Sequence, residues 1–253
     1  MQRVGTRSAL TECVSRTPLL VAPILASCFA FLVSTGHLSA AGSATQSFER
    51  VLAQSNTVSP PPYRAYRRLE GGLSNEDKRG WLEAWTEYRP GRGFTYEVVD
   101  EGGSEYVRNK VLRGMLSGEK DLIAAGKRLR ASLEGKNYEF EDGGATEHGL
   151  QRILLKPVKK SDGLVDGSLL LDKTGFVTRI QGRLVKSPSF WLRDVDVSWK
   201  FAHVGGHVVP VEMTSSGRVR MFGRSNFRMV YDYVSVDGRP TGNGLKAALR
   251  DDQ

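Results

Sequence analysis

His203 and His207 lie four positions apart, and paired imidazoles at short spacing first suggest a metal site. Gly205-Gly206 stands between them and suits the two-residue turn of a hairpin. In that hairpin Val204 pairs with His207 and His203 with Val208, which sends the two rings toward opposite faces. No third ligand is evident, so the spacing predicts no metal. His148 stands alone in a glycine-rich stretch and reads as solvated. Glu83 and Glu87 alternate with Trp81 and Trp85, the pattern of an outer strand surface rather than of a cleft holding a general acid and base. Ser187, Ser189 and Ser225 lack a Gly-x-Ser-x-Gly elbow. Gly71-Gly72 and Gly102-Gly103 lead into no Lys-Ser/Thr phosphate cradle. These residues predict a non-enzymatic protein without a cofactor.

What remains informative is surface pattern. From Leu164 to Val236 apolar and polar residues alternate in segments separated by glycine turns. Between Ser189 and Val204, Val195, Val197, Trp199 and Phe201 share one face, while Asp196, Ser198 and Lys200 share the other. Successive side chains of a strand point to opposite faces, so the stretch predicts a sheet with one apolar and one wet side.

The chain has 253 residues and a net charge of +8, which suits one domain with appendages. Its start has the three parts of an export signal: basic Arg3, Arg7 and Arg16, an apolar run from Leu19 to Val33, and small residues from Ser39 to Ala44. The apolar run is short for a membrane span of about 20 residues, and the alternative is an uncleaved N-terminal anchor. Leu25-Ala26-Ser27-Cys28 matches the lipoprotein cleavage pattern and makes Cys28 a candidate for acylation, although the apolar run continues past it. Cys13 and Cys28 are the two cysteines, so a chain cut near Thr45 carries none. Residues 1–44 hold three arginines and one glutamate, and their loss leaves +6. That charge suits a membrane surface or an envelope polymer. No basic cluster accompanies a nucleic-acid reading motif, so nucleic acid is not an expected partner.

In order, the sequence predicts a signal or anchor over 1–44, a short helix and Pro60-Pro61-Pro62 hinge over 45–62, a domain over 63–236 and a flexible tail over 237–253. Strands are expected at Tyr63–Glu70, Trp81–Tyr88 and Phe94–Asp100, with Gly71–Gly80 as a loop. The period then changes. Val107, Val111 and Met115, with Leu112, Leu116, Leu122, Ile123, Leu129 and Leu133, mark one or two helices capped at Ser104 and kinked or split at Gly118 and Gly126. Strands resume at Tyr138, with a turn at Gly143-Gly144, and run to Val236; a turn of helix is expected at Leu245–Leu249. The fold class is α+β, mainly antiparallel β. About ten strands curl into an incomplete barrel covered by the one- or two-helix insertion, with a sandwich as the alternative.

This order of elements resembles the LolA/LolB-like superfamily of bacterial lipoprotein-sorting carriers and receptors. The residues carrying the likeness are Gly80 to Phe94 (GWLEAWTEYRPGRGF), Val165 to Gly182 (VDGSLLLDKTGFVTRIQG) and the strand pair that follows. Ser187-Pro188-Ser189-Phe190-Trp191 is similar to one exported branch of it. The resemblance implies a half-barrel with a helical lid, an apolar cavity for lipid or lipoprotein acyl chains, and a periplasmic or outer-membrane-associated location with membrane or envelope proteins as partners. The expected lining is Phe94, Tyr96, Val98, Leu169, Leu171, Ile180, Leu184, Val195, Val197, Trp199, Phe201, Met213, Phe227, Met229 and Tyr231. The same alternation also produces a filled core, as in an envelope scaffold or interaction module. The resemblance further implies an early-strand arginine that holds the lid, for which Arg64, Arg67 and Arg68 all qualify.

Overall fold

The computed structural model describes residues 33–34, 60–73, 78–126, 133–187, 192–220 and 223–241. The expected helix at Thr45–Ser55, Cys28, Leu129, residues 188–191 and Leu245–Leu249 lie outside them. Ten strands form one antiparallel path. Three come first: β1 (Tyr63–Leu73), β2 (Arg79–Arg89) and β3 (Gly93–Gly103). A helical segment follows, a six-residue π-helical stretch (Val107–Leu112) running into α1 (Arg113–Ala124). Seven strands complete the path: β4 (Tyr138–Ala145), β5 (Gln151–Pro157), β6 (Val165–Leu171), β7 (Val177–Leu184), β8 (Leu192–Val204), β9 (His207–Val219) and β10 (Gly223–Val236).

The sheet order is β3-β2-β1-β10-β9-β8-β7-β6-β5-β4. Every neighbour is also a neighbour in sequence except β1 and β10, which join the two ends of the domain through pairs such as Arg67 with Tyr231. The two free edges, β3 and β4, are consecutive in the chain. The helical segment lies in the chain between these two edges, and the sheet stays open. Short pairings extend the rim: Val33–Ser34 against Val208 and His207, and Arg239–Pro240 against the end of β10. Backbone pairing thus continues beyond Val236, with the Thr241 amide donating to the Val234 carbonyl at 3.0 Å.

Alternation decides which side is dry. Ala65, Arg67 and Leu69 of β1, Leu82 and Ala84 of β2, Val195, Val197 and Trp199 of β8, and Phe227, Met229 and Tyr231 of β10 all turn inward and are buried. The π-helical stretch and α1 lay Val107, Leu112, Met115 and Leu116 against the β1–β3 end of that face. Gly71 and Gly80 make room for them: a Cβ on Gly80 would lie 3.2 Å from Val107 Cβ, and one on Gly71 3.2 Å from Leu112 Cδ2. The π-helical geometry has a local partner. Arg108 and Arg113 are five apart, the repeat of that helix, and both reach Glu101 on the edge strand β3, at 2.7 and 2.8 Å.

Several boundaries differ from the sequence reading. Pairing of β1 with β2 runs to Gly72 and Arg79, so five of the ten residues of the expected Gly71–Gly80 loop are strand. Gly118 lies buried inside an unbroken α1, because a missing side chain lets a helix pack closely without bending it; the helix stops before Gly126, whose φ is +59°. Ser104 supplies backbone rather than a side-chain cap: its amide donates to the Arg79 carbonyl and its carbonyl accepts from the Arg108 amide. Gly143 and Gly144 sit in a bulge within β4, and the chain turns at 146–149, where Thr146 hydrogen bonds both Gly149 and Leu150.

Candidate functional site

At the centre of the inward face lies a charged pair. Arg67 projects from β1 between Ala65 and Leu69, and its side chain is 0% exposed. Its Nη1 donates to Glu119 Oε2 of α1 at 2.6 Å, and its Nη2 donates to Glu119 Oε1 at 3.1 Å. Nη2 also donates to the Tyr63 hydroxyl at 2.5 Å, and that hydroxyl donates on to Glu119 Oε1 at 3.4 Å. The guanidinium carbon lies 4.6 Å from the centre of the Tyr231 ring and 5.0 Å from that of Phe94. Space for the group comes from Ala84, its cross-strand neighbour on β2. Tyr231 stacks on Tyr233 at 5.9 Å, and Tyr63 meets Tyr233 edge-on at 5.7 Å.

The electrostatics are those of a sealed pocket. Burial works to lower the pKa of Arg67, but Glu119, Tyr63 and Tyr231 together outweigh it and hold the guanidinium well above its usual range. Burial pushes the phenols of Tyr63 and Tyr231 well above their ordinary value, against the opposing pull of Arg67, and Tyr233 likewise. At neutral pH the cluster therefore holds one permanent cation and three protonated phenols. The arrangement is suited to joining helix to sheet.

Of the three arginines that qualify as the lid-holding residue, Arg67 alone turns inward. Arg64 lies over Trp85, and Arg68 bonds Glu70 and Glu83 on the outer side. Glu119 was not singled out from the sequence, although it follows Met115 by four and Leu112 by seven and so falls on the apolar stripe. A carboxylate at such a position is the signal for a buried partner.

Thirteen of the fifteen expected lining residues are buried in one continuous core; Tyr96 and Val98 pack against it partly exposed. Within that core the indole N–H of Trp199 has no acceptor among the described residues. The histidines follow the expected register, His203 opposite Val208 and His207 opposite Val204. His203 meets the Phe176 ring edge-on at 4.5 Å, and His207 approaches Asp237 at 3.4 Å. Among the described residues no three His, Cys, Asp or Glu side chains gather as metal ligands, and no helix is long and apolar enough to cross a membrane.

The fold is thus an open antiparallel half-barrel with a helical segment packed on one end of its inward face. Its neighbours among solved structures include a DUF1329 family protein from Desulfovibrio piger, at 7% identity, and a LolA superfamily protein from Nitrosomonas europaea, at 10%. Each match covers 76% of this chain and 92% of the other, with a TM-score of 0.37. No protein-family model and no curated protein matches the chain.

Proposed function

We propose that this protein is an exported, non-enzymatic carrier that receives a lipid or lipoprotein acyl chain between its sheet and its helical segment. The observation that carries the reading is the Arg67–Glu119 pair. A buried ion pair is a weak source of stability, because the cost of desolvating both charges offsets most of their attraction. It is a good switch, since lifting α1 returns both charges to water. Arg67 is the residue that would serve as the early-strand arginine implied by the sequence resemblance. The inward face supplies the apolar lining that an acyl chain needs, at about 0.8 kcal/mol for each buried methylene.

The test is extraction of the purified mature protein for bound lipid by mass spectrometry, followed by titration with fluorescent fatty acids of graded length. Bound lipid, or uptake that strengthens with chain length, is expected. Absence of both removes the carrier reading. A second reading is favoured by the close packing of the lining residues: a solid-cored envelope interaction module. It predicts no lipid and a protein partner recovered by crosslinking in cells.

A further inference from the structure

The outward face of the sheet, on the far side of the strands from Arg67, carries a groove of about 760 Å³. Two cross-strand rows of outward residues line it. Trp81, Glu70, Arg228, Thr214 and Ser198 form one row from β2 to β8. Arg79, Gly72, Asn226, Ser216 and Asp196 form the next. Four strand spacings give the groove a length of about 19 Å. Gly72 and the short hydroxyl side chains leave its floor low.

The chemistry of this bed is specific. Trp81 forms one end and is held in place: the Arg68 guanidinium lies 5.0 Å over its ring, and its indole packs so closely on Gly102 that an added Cβ would sit 2.7 Å from Nε1. Hydroxyl and amide groups of Thr214, Ser198, Ser216 and Asn226 line the middle. Beyond the second row comes a third, in which Arg218 stands opposite both Arg224 and Arg193. Like charges directly opposed across strands are unfavourable. All three side chains are exposed, and Arg218 bonds Asp194 at 2.9 Å. The row gathers three guanidinium groups at this end of the groove.

We propose that this groove binds a segment of acidic polysaccharide, with one sugar ring packed against Trp81, ring hydroxyls on the Ser, Thr and Asn bed, and carboxylate or phosphate substituents at the arginine row. Arginine forks match such oxyanions. Single-stranded nucleic acid fits less well, because successive bases need a series of aromatic platforms and this groove has one. Val197, Ser215 and Phe227 of the interior also reach its floor, but the recognition groups named here are all on the outer face, so the proposal stands or falls apart from the carrier reading.

The experiment is calorimetric titration of the full chain with a short oligogalacturonate, with its methyl-esterified form, and with an oligothymidylate of equal charge. The acidic sugar is expected to bind, the ester about tenfold more weakly, and the oligonucleotide no better than the ester. The Arg218→Gln/Arg224→Gln variant should bind the acid about tenfold more weakly while its melting temperature changes little, as expected when exposed ion pairs are lost. Asn226→Ala, on an exposed position that leaves the fold intact, should bind about threefold more weakly. Equal binding of acid and ester, tighter binding of the oligonucleotide, no binding at all, or unchanged affinity in both variants would each overturn the proposal.

Discussion

Removing one member of the Arg67–Glu119 pair should cost far more than removing both. In Glu119→Gln the guanidinium stays at 0% exposure with its carboxylate gone, and it cannot shed its charge. Breaking a buried pair in this way costs roughly 3–5 kcal/mol. At about 2–4 °C per kcal/mol for a domain of this size, the melting temperature should fall by about 6–20 °C. Arg67→Met leaves a carboxyl that can take up a proton, so its loss should be smaller. Arg67→Met/Glu119→Leu removes both desolvation costs, and replacements of that kind are often neutral or stabilising by roughly 1–4 kcal/mol. Urea unfolding of the four proteins, read by near-ultraviolet dichroism, measures these losses. A Glu119→Gln loss under about 1 kcal/mol, or a double variant as weak as that single one, would refute the reasoning. If the pair also times opening, the stable double variant should differ from the native chain in lipid uptake.

Two further predictions come from the same coordinates. Tyr63, Tyr231 and Tyr233 have folded pKa values raised by burial above the unfolded value of 10.0, so folding binds their protons more tightly. Their contribution is whole below pH 10.0 and is lost as the pH rises through the folded values. Phenolate absorbance should therefore show a late, cooperative step that coincides with unfolding; smooth titration of every tyrosine near its ordinary value counts against the sealed cluster. In the second, Gly182→Ala places a Cβ 2.3 Å from the Asp166 carbonyl oxygen. It should cost about 2–4 kcal/mol in denaturant unfolding. Gly126→Ala, in open space at φ +59°, should cost only about 1–2 kcal/mol.

Alternation made the inward face legible before any coordinates. Once Val195, Val197, Trp199 and Phe201 share a side, hairpin connections carry the same parity to Met213, Phe227 and Tyr231. The Gly205-Gly206 turn fixed the register of β8 and β9, because only a two-residue turn with both φ positive, here +60° and +86°, joins them. The latch was harder to read. Arg67 and Glu119 lie 52 residues apart, and each looks like a surface residue in isolation. Position in the pattern identifies them: Arg67 interrupts the Ala65–Leu69 apolar face, and Glu119 interrupts the Met115 stripe. Glycines that serve close packing mimic turn and break signals, as Gly71 and Gly80 do in a strand pair and Gly118 does in a helix. The outer groove was not legible, because it depends on the register of β1 with β10, whose strands lie at opposite ends of the domain.

A packed interior and a carrier function are compatible if the packing is exchangeable. The helical segment covers the inner face with four large apolar side chains, Val107, Leu112, Met115 and Leu116. At about 1.5–3 kcal/mol each, they contribute roughly 6–12 kcal/mol. An acyl chain matches that range with about eight to fifteen buried methylenes at about 0.8 kcal/mol each. On the proposed carrier reading, the helix and a lipid tail of ordinary length would be near-equal competitors for one surface. In such a balance a term of a few kcal/mol decides the outcome, and the Arg67–Glu119 pair with its Tyr63 bridge is a term of that size. The topology also permits the exchange. The segment lies between the two free edges of the sheet, so it can leave without breaking a single strand pair.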